Sequence, residues 1–465
     1  MSRKSRMVMI VVSALAAASQ AVAAPDNRTN LLLVMTDDQG SWSMGCYGNK
    51  EAHTPVLDKL AAGGVRMTRA FATIPVCSPS RATFYTGRIP SQHGIHDWIK
   101  NENMGPRARY CLPREKQISE ILAEAGYICG LSGKWHLGDS LHARAGYTFW
   151  YAMPQGGSQY NDAEMIWQEK VVKTQGYVTD RITDKAVEFL NDNRGRPFFL
   201  NVEYNAPHSP YKGHPKELVD LFKDVPFASI PKLPPHPWAI GHMGVDNQRE
   251  PLEQYFAACA GVDRAVGRLL AELDKLGLTG DTLVVYASDQ GFCTGHHGFW
   301  GKGNGTNPRN AYDTSLQMPM IFSQPGRLPA GKTVDAMVSA YDFMPTVLDY
   351  LGVKPPADRN LPGRSFAPML RGDKQADWPD AVFGEYGQLR FIRTADHKYV
   401  HRANGGPFEL YDLAKDPDET TNLIDQSEHR ELRNALRKRM LDWFERYGEA
   451  GADPVGQEYI RPAGQ

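Results

Sequence analysis

The chain has 465 residues, with 52 Lys and Arg against 53 Asp and Glu, a formal net charge of -1 that leaves no general basic surface for nucleic acid. That length supports one large core and a smaller second unit. The six cysteines, Cys46, Cys77, Cys111, Cys129, Cys259 and Cys293, lack the close pairing of a zinc site or a disulfide scaffold; an oxidising compartment would still permit a pair, which the sequence does not identify.

At the N-terminus Arg3, Lys4 and Arg6 precede an apolar run over 7–17, and Ala21-Val22-Ala23 precedes Ala24-Pro25. These three parts predict a signal peptide over 1–24 and an exported protein, periplasmic or secreted. The run is short for a bilayer span and no later stretch replaces it, so no membrane partner is expected. The continuous apolar run 30–35 predicts a strand buried on both faces, ending at Thr36-Asp37-Asp38. Helices are predicted over 117–125, 252–276 and 341–351, stopped by Gly126, Gly277 and Gly352. A second strand over 197–204 runs into Asn205-Ala206-Pro207-His208, and a third over 281–287 ends in Ser288-Asp289-Gln290-Gly291. Three strand ends thus bring polar residues to one edge, where open α/β sheets place ligands. The segment 225–250, with Pro231, Pro234, Pro235 and Pro237, reads as a long surface loop.

Beyond about 371 the texture changes to short strands over 381–386, 389–393 and 398–401 and an amphipathic helix over 429–446. The predicted division is a leader, 1–24, a catalytic region, 25–370, and a C-terminal subdomain, 371–465. No internal repeat or low-complexity tract interrupts it.

The run Cys77-Ser78-Pro79-Ser80-Arg81, continuing to Thr86-Gly87-Arg88, resembles the signature of the type I, formylglycine-dependent sulfatases, within the alkaline-phosphatase-like superfamily. Gly133-Lys134-Trp135-His136-Leu137-Gly138, Ala206-Pro207-His208-Ser209-Pro210 and Gly301-Lys302-Gly303 are similar to further blocks of that family, and Phe408 to Leu413 is similar to part of its C-terminal subdomain. The resemblance implies an α/β fold with a large mixed sheet flanked by helices, plus a small C-terminal antiparallel sheet with a helix. It also implies that Cys77 is oxidised to formylglycine by a formylglycine-generating or radical maturation enzyme. A hydrated aldehyde suits this chemistry: one hydroxyl takes the sulfuryl group, and deprotonating the other expels sulfate and restores the carbonyl.

By the same resemblance Asp37, Asp38, Cys77, Asp289 and Gln290 hold one Ca2+, although the family usually has Asn or His where Gln290 stands. The carboxylates and amide offer oxygen alone, which suits a hard cation; read without the family, Asp37 and Asp38 also fit a turn or helix cap. Lys134, His208 and Lys302 would bind substrate, with His208 as proton donor to the leaving oxygen, His136 assisting sulfate release and Arg81 holding the hydrated aldehyde. The spacing of Lys134 and His136 turns both one way if that segment is extended. His297 is assigned no catalytic role. The segment 93–98 and the loop 153–160 follow matched blocks, and Trp98 reads either as a sugar-stacking platform or as core. The expected activity is hydrolysis of a sulfate ester, on a sulfated saccharide or small molecule. Alternatives are an arylsulfatase, a phosphoester or phosphonate hydrolase on the same scaffold, and a non-catalytic glycan-binding protein; the last is disfavoured because Cys77, Arg81, Lys134, His208 and Lys302 all stand.

Overall fold

Strand β1 (Asn30–Asp37) sends Leu31, Leu33 and Met35 into one apolar layer and Leu32 and Val34 into the other. Each such side chain contributes about 1.5–3 kcal/mol when removed from water, which favours a strand covered on both faces. The computed structural model of the protein describes residues 28–144, 146–240 and 249–449, so the predicted leader lies outside the described residues. Around β1 stand β2 (Val65–Phe71), β3 (Ile128–Gly133), β4 (Tyr147–Ala152), β5 (Glu164–Trp167), β6 (Lys170–Lys173), β7 (Phe198–Pro207) and β8 (Thr282–Ser288). After a short pair, β9 (Cys293–Thr294) and β10 (Trp300–Gly301), the sheet is completed by β11 (Gln317–Ser323) and β12 (Lys332–Ser339).

Among the described residues ten strands form one mixed sheet in the order β12-β2-β11-β8-β1-β7-β3-β4-β5-β6. Its centre, β8-β1-β7-β3-β4, is parallel, and β11, β5 and β6 supply the antiparallel pairings. Helices Val178–Asn193 and Arg249–Lys275 cover one face, while Cys77–Thr86, Ile118–Glu124 and Ala340–Tyr350 cover the other. The three predicted helices are all present, and Gly126, Gly277 and Gly352 follow them at φ 85, 70 and 71. The helix predicted from 252 begins earlier, at Arg249.

The described part of the proline-rich segment, before the helix at Arg249, is a surface loop as expected, and backbone hydrogen bonds fasten it. His236 donates its amide to Gly298 O, Asn307 to Trp238 O and Ile240 to Gly305 O, which ties the loop to the segment on either side of Lys302.

The last part of the chain forms a separate antiparallel sheet of β13 (Ala381–Tyr386), β14 (Leu389–Thr394), β15 (His397–Arg402) and β16 (Glu409–Asp412). Helix Arg430–Tyr447 packs Leu436, Met440 and Phe444 against Ile392, Tyr399 and Leu410. Lys398 binds this sheet to the larger unit, donating to Ala311 O at 2.8 Å and pairing with Asp313 at 2.5 Å and Glu419 at 2.6 Å. Among the described residues no helix is long and apolar enough to cross a membrane.

Candidate active site

Because β1 and β8 are parallel and Thr36 lies opposite Ser288, their carboxyl ends emerge side by side. Asp37 and Asp38 therefore meet Asp289 and Gln290. The Asp38 amide donates to Asp289 Oδ1 at 3.2 Å and the Asp289 amide to Thr36 O at 3.0 Å, closing the junction. Asp38 takes φ 70, a left-handed conformation that aspartate tolerates better than bulkier residues. Asp37, Asp38 and Asp289 are buried, and each offers an oxygen within 4.8 Å of the others.

Buried carboxylates this close need positive charge. Burial and Asp37 push the Asp289 carboxyl well up despite Arg81, whereas Lys134, His208 and Lys302 outweigh burial at Asp37 and hold it well below its ordinary range. Gln290 donates its amide to Asp38 Oδ1 at 2.5 Å, and its own Oε1 is buried with no hydrogen-bond partner. Three carboxylates and an orphaned amide oxygen fit a hard divalent cation.

Helix Cys77–Thr86 starts against this cluster. Pro79 falls in its first turn, where an amide has no intrahelical acceptor, and Gly87 at φ 68 ends it. Cys77 is at the N-terminal end, where the helix dipole favours negative charge. Its Sγ lies 3.4 Å from Asp37 Oδ1 and 2.8 Å from Lys302 Nζ. Burial and Asp37 raise the thiol, but Lys134, Lys302 and His136 together hold it well below its usual range.

One turn on, the fully buried Arg81 pairs with Glu203 Oε2 at 2.5 Å and, through Nε, with Asp289 Oδ2 at 3.1 Å. Its observed bonds therefore fix Asp289, and no bond runs from it to Cys77. Glu203 comes from β7 and also accepts from Tyr85 at 2.6 Å.

Lys134 follows β3 and pairs with Asp37. The condition of an extended segment from 134 to 136 is not met at its end: His136 has φ 56. Just before it, Gly133, at φ 121, lies so close to β7 that a Cβ there would stand 1.9 Å from Glu203 O. His136 still reaches the thiol, with Nε2 at 2.9 Å from Ile99 O and Nδ1 buried without a partner.

His208 follows β7, its Nδ1 at 2.8 Å from Ser209 O and its Nε2 at 3.9 Å from Asp38 Oδ2. Burial opposes its charge, but Asp37 and Asp38 prevail and raise its pKa. Lys302 follows β10, pairs with Asp38, and has its carbonyl held by Asn310 at 3.0 Å. His297 stands apart, stacked on Tyr312 at 3.8 Å, with burial pushing its pKa down to about 3.

The structure thus brings Asp37, Asp38, Cys77, Arg81, Lys134, His136, His208, Asp289, Gln290 and Lys302 to one sheet edge. Sequence reasoning missed Glu203, although an acid inside β7, whose other polar side chains are the neutral Asn201 and Asn205 and the Tyr204 hydroxyl, was a visible anomaly. It also missed Gly156, where a Cβ would stand 2.2 Å from His136 Nε2, and Asn205, whose amide atoms are buried without partners.

The family model for sulfatases matches residues 29–353, and that for the N-sulphoglucosamine sulphohydrolase C-terminal region matches 295–446. The chain is a member of the sulfatase family. It is accordingly a sulfuric ester hydrolase. An N-acetylglucosamine-6-O-sulfatase of Bacteroides thetaiotaomicron is 28% identical to this sulfatase, over 92% of this chain and 88% of that protein. A solved structure, captured with its substrate D-glucosamine-2-N,6-O-disulfate, superposes with a TM-score of 0.78 and 25% identity over 92% of this chain and 99% of that one. A phosphonate monoester hydrolase of Agrobacterium radiobacter shares the fold, with a TM-score of 0.74 and 23% identity over 90% of this chain and 96% of its own.

Proposed function

We propose that this sulfatase is exported, binds calcium and cleaves the sulfate ester of a sulfated carbohydrate, with formylglycine formed at Cys77. One observation carries the reading: Cys77 lies at a helix N-terminus, 2.8 Å from Lys302 and 3.4 Å from Asp37, beside three buried carboxylates. The carbohydrate is supported by the saccharide sulfates named for the relatives above, and export by the leader pattern over 3–24. The division at 24 and about 370 belongs to the same reading.

Asp37, Asp38, Asp289 and Gln290 Oε1, with the side chain at position 77, would hold the cation. Formylglycine supplies a hydrated aldehyde as nucleophile and calcium supplies fixed charge beside the sulfuryl oxygens. The Sγ of Cys77 marks the place of that nucleophile. Lys134 and Lys302 bind the sulfuryl oxygens and stabilise charge as it moves, while Arg81 keeps Asp289 in place.

The two histidines receive opposite roles from their backbone partners. His208 Nδ1 donates to Ser209 O, which turns Nε2 toward the site, and Asp37 and Asp38 favour its protonated form; Nε2 gives its proton to the departing sugar oxygen. His136 Nε2 donates to Ile99 O, which leaves Nδ1 as an unpaired acceptor beside position 77, suited to take a proton as sulfate departs.

The test is sulfate release from a panel of defined sulfated saccharides, 4-nitrophenyl sulfate and a phenyl phosphonate ester, with mass spectrometry of the peptide containing residue 77. A saccharide cleaved fastest by protein carrying the aldehyde is the expected result. Fastest turnover of the phosphonate favours the alternative hydrolase, and an active preparation with only an intact thiol removes the mechanism.

A further inference from the structure

Outside the sulfate centre, a half-exposed charged pair stands at its rim. The backbone of Ile99 is held at both ends by the centre: its amide donates to Ser78 Oγ at 3.0 Å and its carbonyl faces His136 Nε2 at 2.9 Å. Asp97, only two residues earlier, is therefore within about 8 Å of Ile99 along the chain. Asp97 Oδ2 accepts from Arg309 Nη2 at 2.8 Å, and its Oδ1 accepts from the Tyr386 hydroxyl at 2.8 Å and the Trp98 amide at 2.9 Å. The Arg309 guanidinium lies 4.0 Å from the centre of the Tyr386 ring.

Tyr386 in turn borders the residue after Lys302. A Cβ on Gly303 would stand 3.0 Å from Tyr386 Cδ1, and the Gly303 amide donates to Pro75 O, two residues before Cys77. The pair is thereby bracketed by the segments that carry Cys77, His136 and Lys302. Unlike the centre, it is open to a ligand: the side chains of Asp97 and Arg309 are 40% and 37% exposed, against 0% for Lys134 and 7% for Lys302.

We propose that Asp97 and Arg309, steadied by Tyr386 from the C-terminal sheet, hold the hydroxyl groups of the sugar that carries the scissile sulfate. This rests on the carbohydrate reading above. A carboxylate and a guanidinium side by side accept from and donate to neighbouring hydroxyls. Their charges cancel, so the pair favours neutral hydroxyls and leaves the anion to Lys134 and Lys302. Trp98, 40% exposed on the adjoining residue and with Lys100 Nζ 4.7 Å from its ring centre, offers its remaining ring surface to a sugar face. Trp98 is thus not core.

The test uses the full-length enzyme with position 77 converted. kcat and KM are measured on a panel of sulfated monosaccharides that includes N-acetylglucosamine 6-sulfate, on deoxy analogues of the panel member cleaved fastest, and on 4-nitrophenyl sulfate. Asp97→Asn and Arg309→Ala should each lower kcat/KM on that saccharide by about 10- to 100-fold, the worth of a hydrogen bond to a charged group. Turnover of 4-nitrophenyl sulfate should stay within about twofold, because the aryl group has no hydroxyls to lose. In the wild type, removing the sugar hydroxyl that is held should cost as much, and the variants should show no further loss on that deoxy analogue.

Equal losses on the saccharide and the aryl sulfate, with a lowered melting temperature, would mean that the pair only fastens the two sheets, and the subsite is overturned. If the variants do not fold, the deoxy series on the wild type decides: no hydroxyl worth more than about twofold also overturns it. Cleavage of 4-nitrophenyl sulfate with no cleavage of any saccharide removes the carbohydrate reading itself.

Discussion

Two buried clusters of charge in this molecule look alike in composition and differ in what they leave open. At the junction with the C-terminal sheet, Lys398 has three partners: it donates to Ala311 O and Glu419 Oε1 and is ion-paired with Asp313. At the sheet edge, Lys134 has Asp37 alone, and Lys302 has Asp38 and Cys77. Gln290 Oε1, His136 Nδ1 and both amide atoms of Asn205 are buried there without partners. A closed cluster holds the fold, whereas an open one keeps valences for something that arrives later. Counting buried polar atoms left with neither a hydrogen bond nor an ion pair separates the two where counting charges does not.

The difference is sharpest at Cys77, which no closed cluster would require. Cys77→Ala should bring sulfatase activity to background while the melting temperature stays close to the wild type, followed by sulfate release and thermal denaturation. The next largest effect is expected for His208→Ala on a sulfated sugar, a loss of about 10²- to 10⁴-fold, with a much smaller loss on 4-nitrophenyl sulfate, whose leaving group needs no proton. Equal losses on the two would reduce His208 to a sulfate contact.

Paired substitutions test the comparison itself. Lys302→Ala should cost about 10²- to 10³-fold in kcat with little change in stability. Lys398→Met should cost about 3–5 kcal/mol in stability, because the buried Glu419 loses its cation and Asp313 is left with Arg393 alone, while kcat of the folded fraction holds. If the two exchange these phenotypes, open and closed clusters cannot be told apart by their hydrogen bonds. The smallest effect should be that of Gln290→Asn, a change within about tenfold in calcium affinity read by titration calorimetry, as the amide oxygen is kept on a shorter arm.

Much of this site was legible because its residues sit at the ends of uninterrupted apolar runs. The runs before Asp37 and Asp289 contain few residues other than Leu, Val and Met or Tyr and Ala, and the parallel pairing of β1 and β8 follows from burial on both faces. β3 was not legible: Ile-Cys-Gly-Leu-Ser-Gly has two glycines, which are tolerated because Phe189 and Glu203 press where side chains would be. β2 also escaped notice, since Arg66, Thr68 and Arg69 interrupt its apolar residues near the edge of the sheet. The positive φ of His136 has no signal in the sequence either.

The burial of Cys77 also sets an order of events. In the folded chain it is 3% exposed, capped by Lys302 and flanked by Asp37, so an oxidising enzyme cannot bring its own active site to the thiol. On the proposed reading, conversion therefore belongs to the time before helix Cys77–Thr86 docks on the sheet. Folding closes that interval for good: a molecule that folds with its thiol intact keeps its fold and stays silent, and only unfolding gives it a second chance.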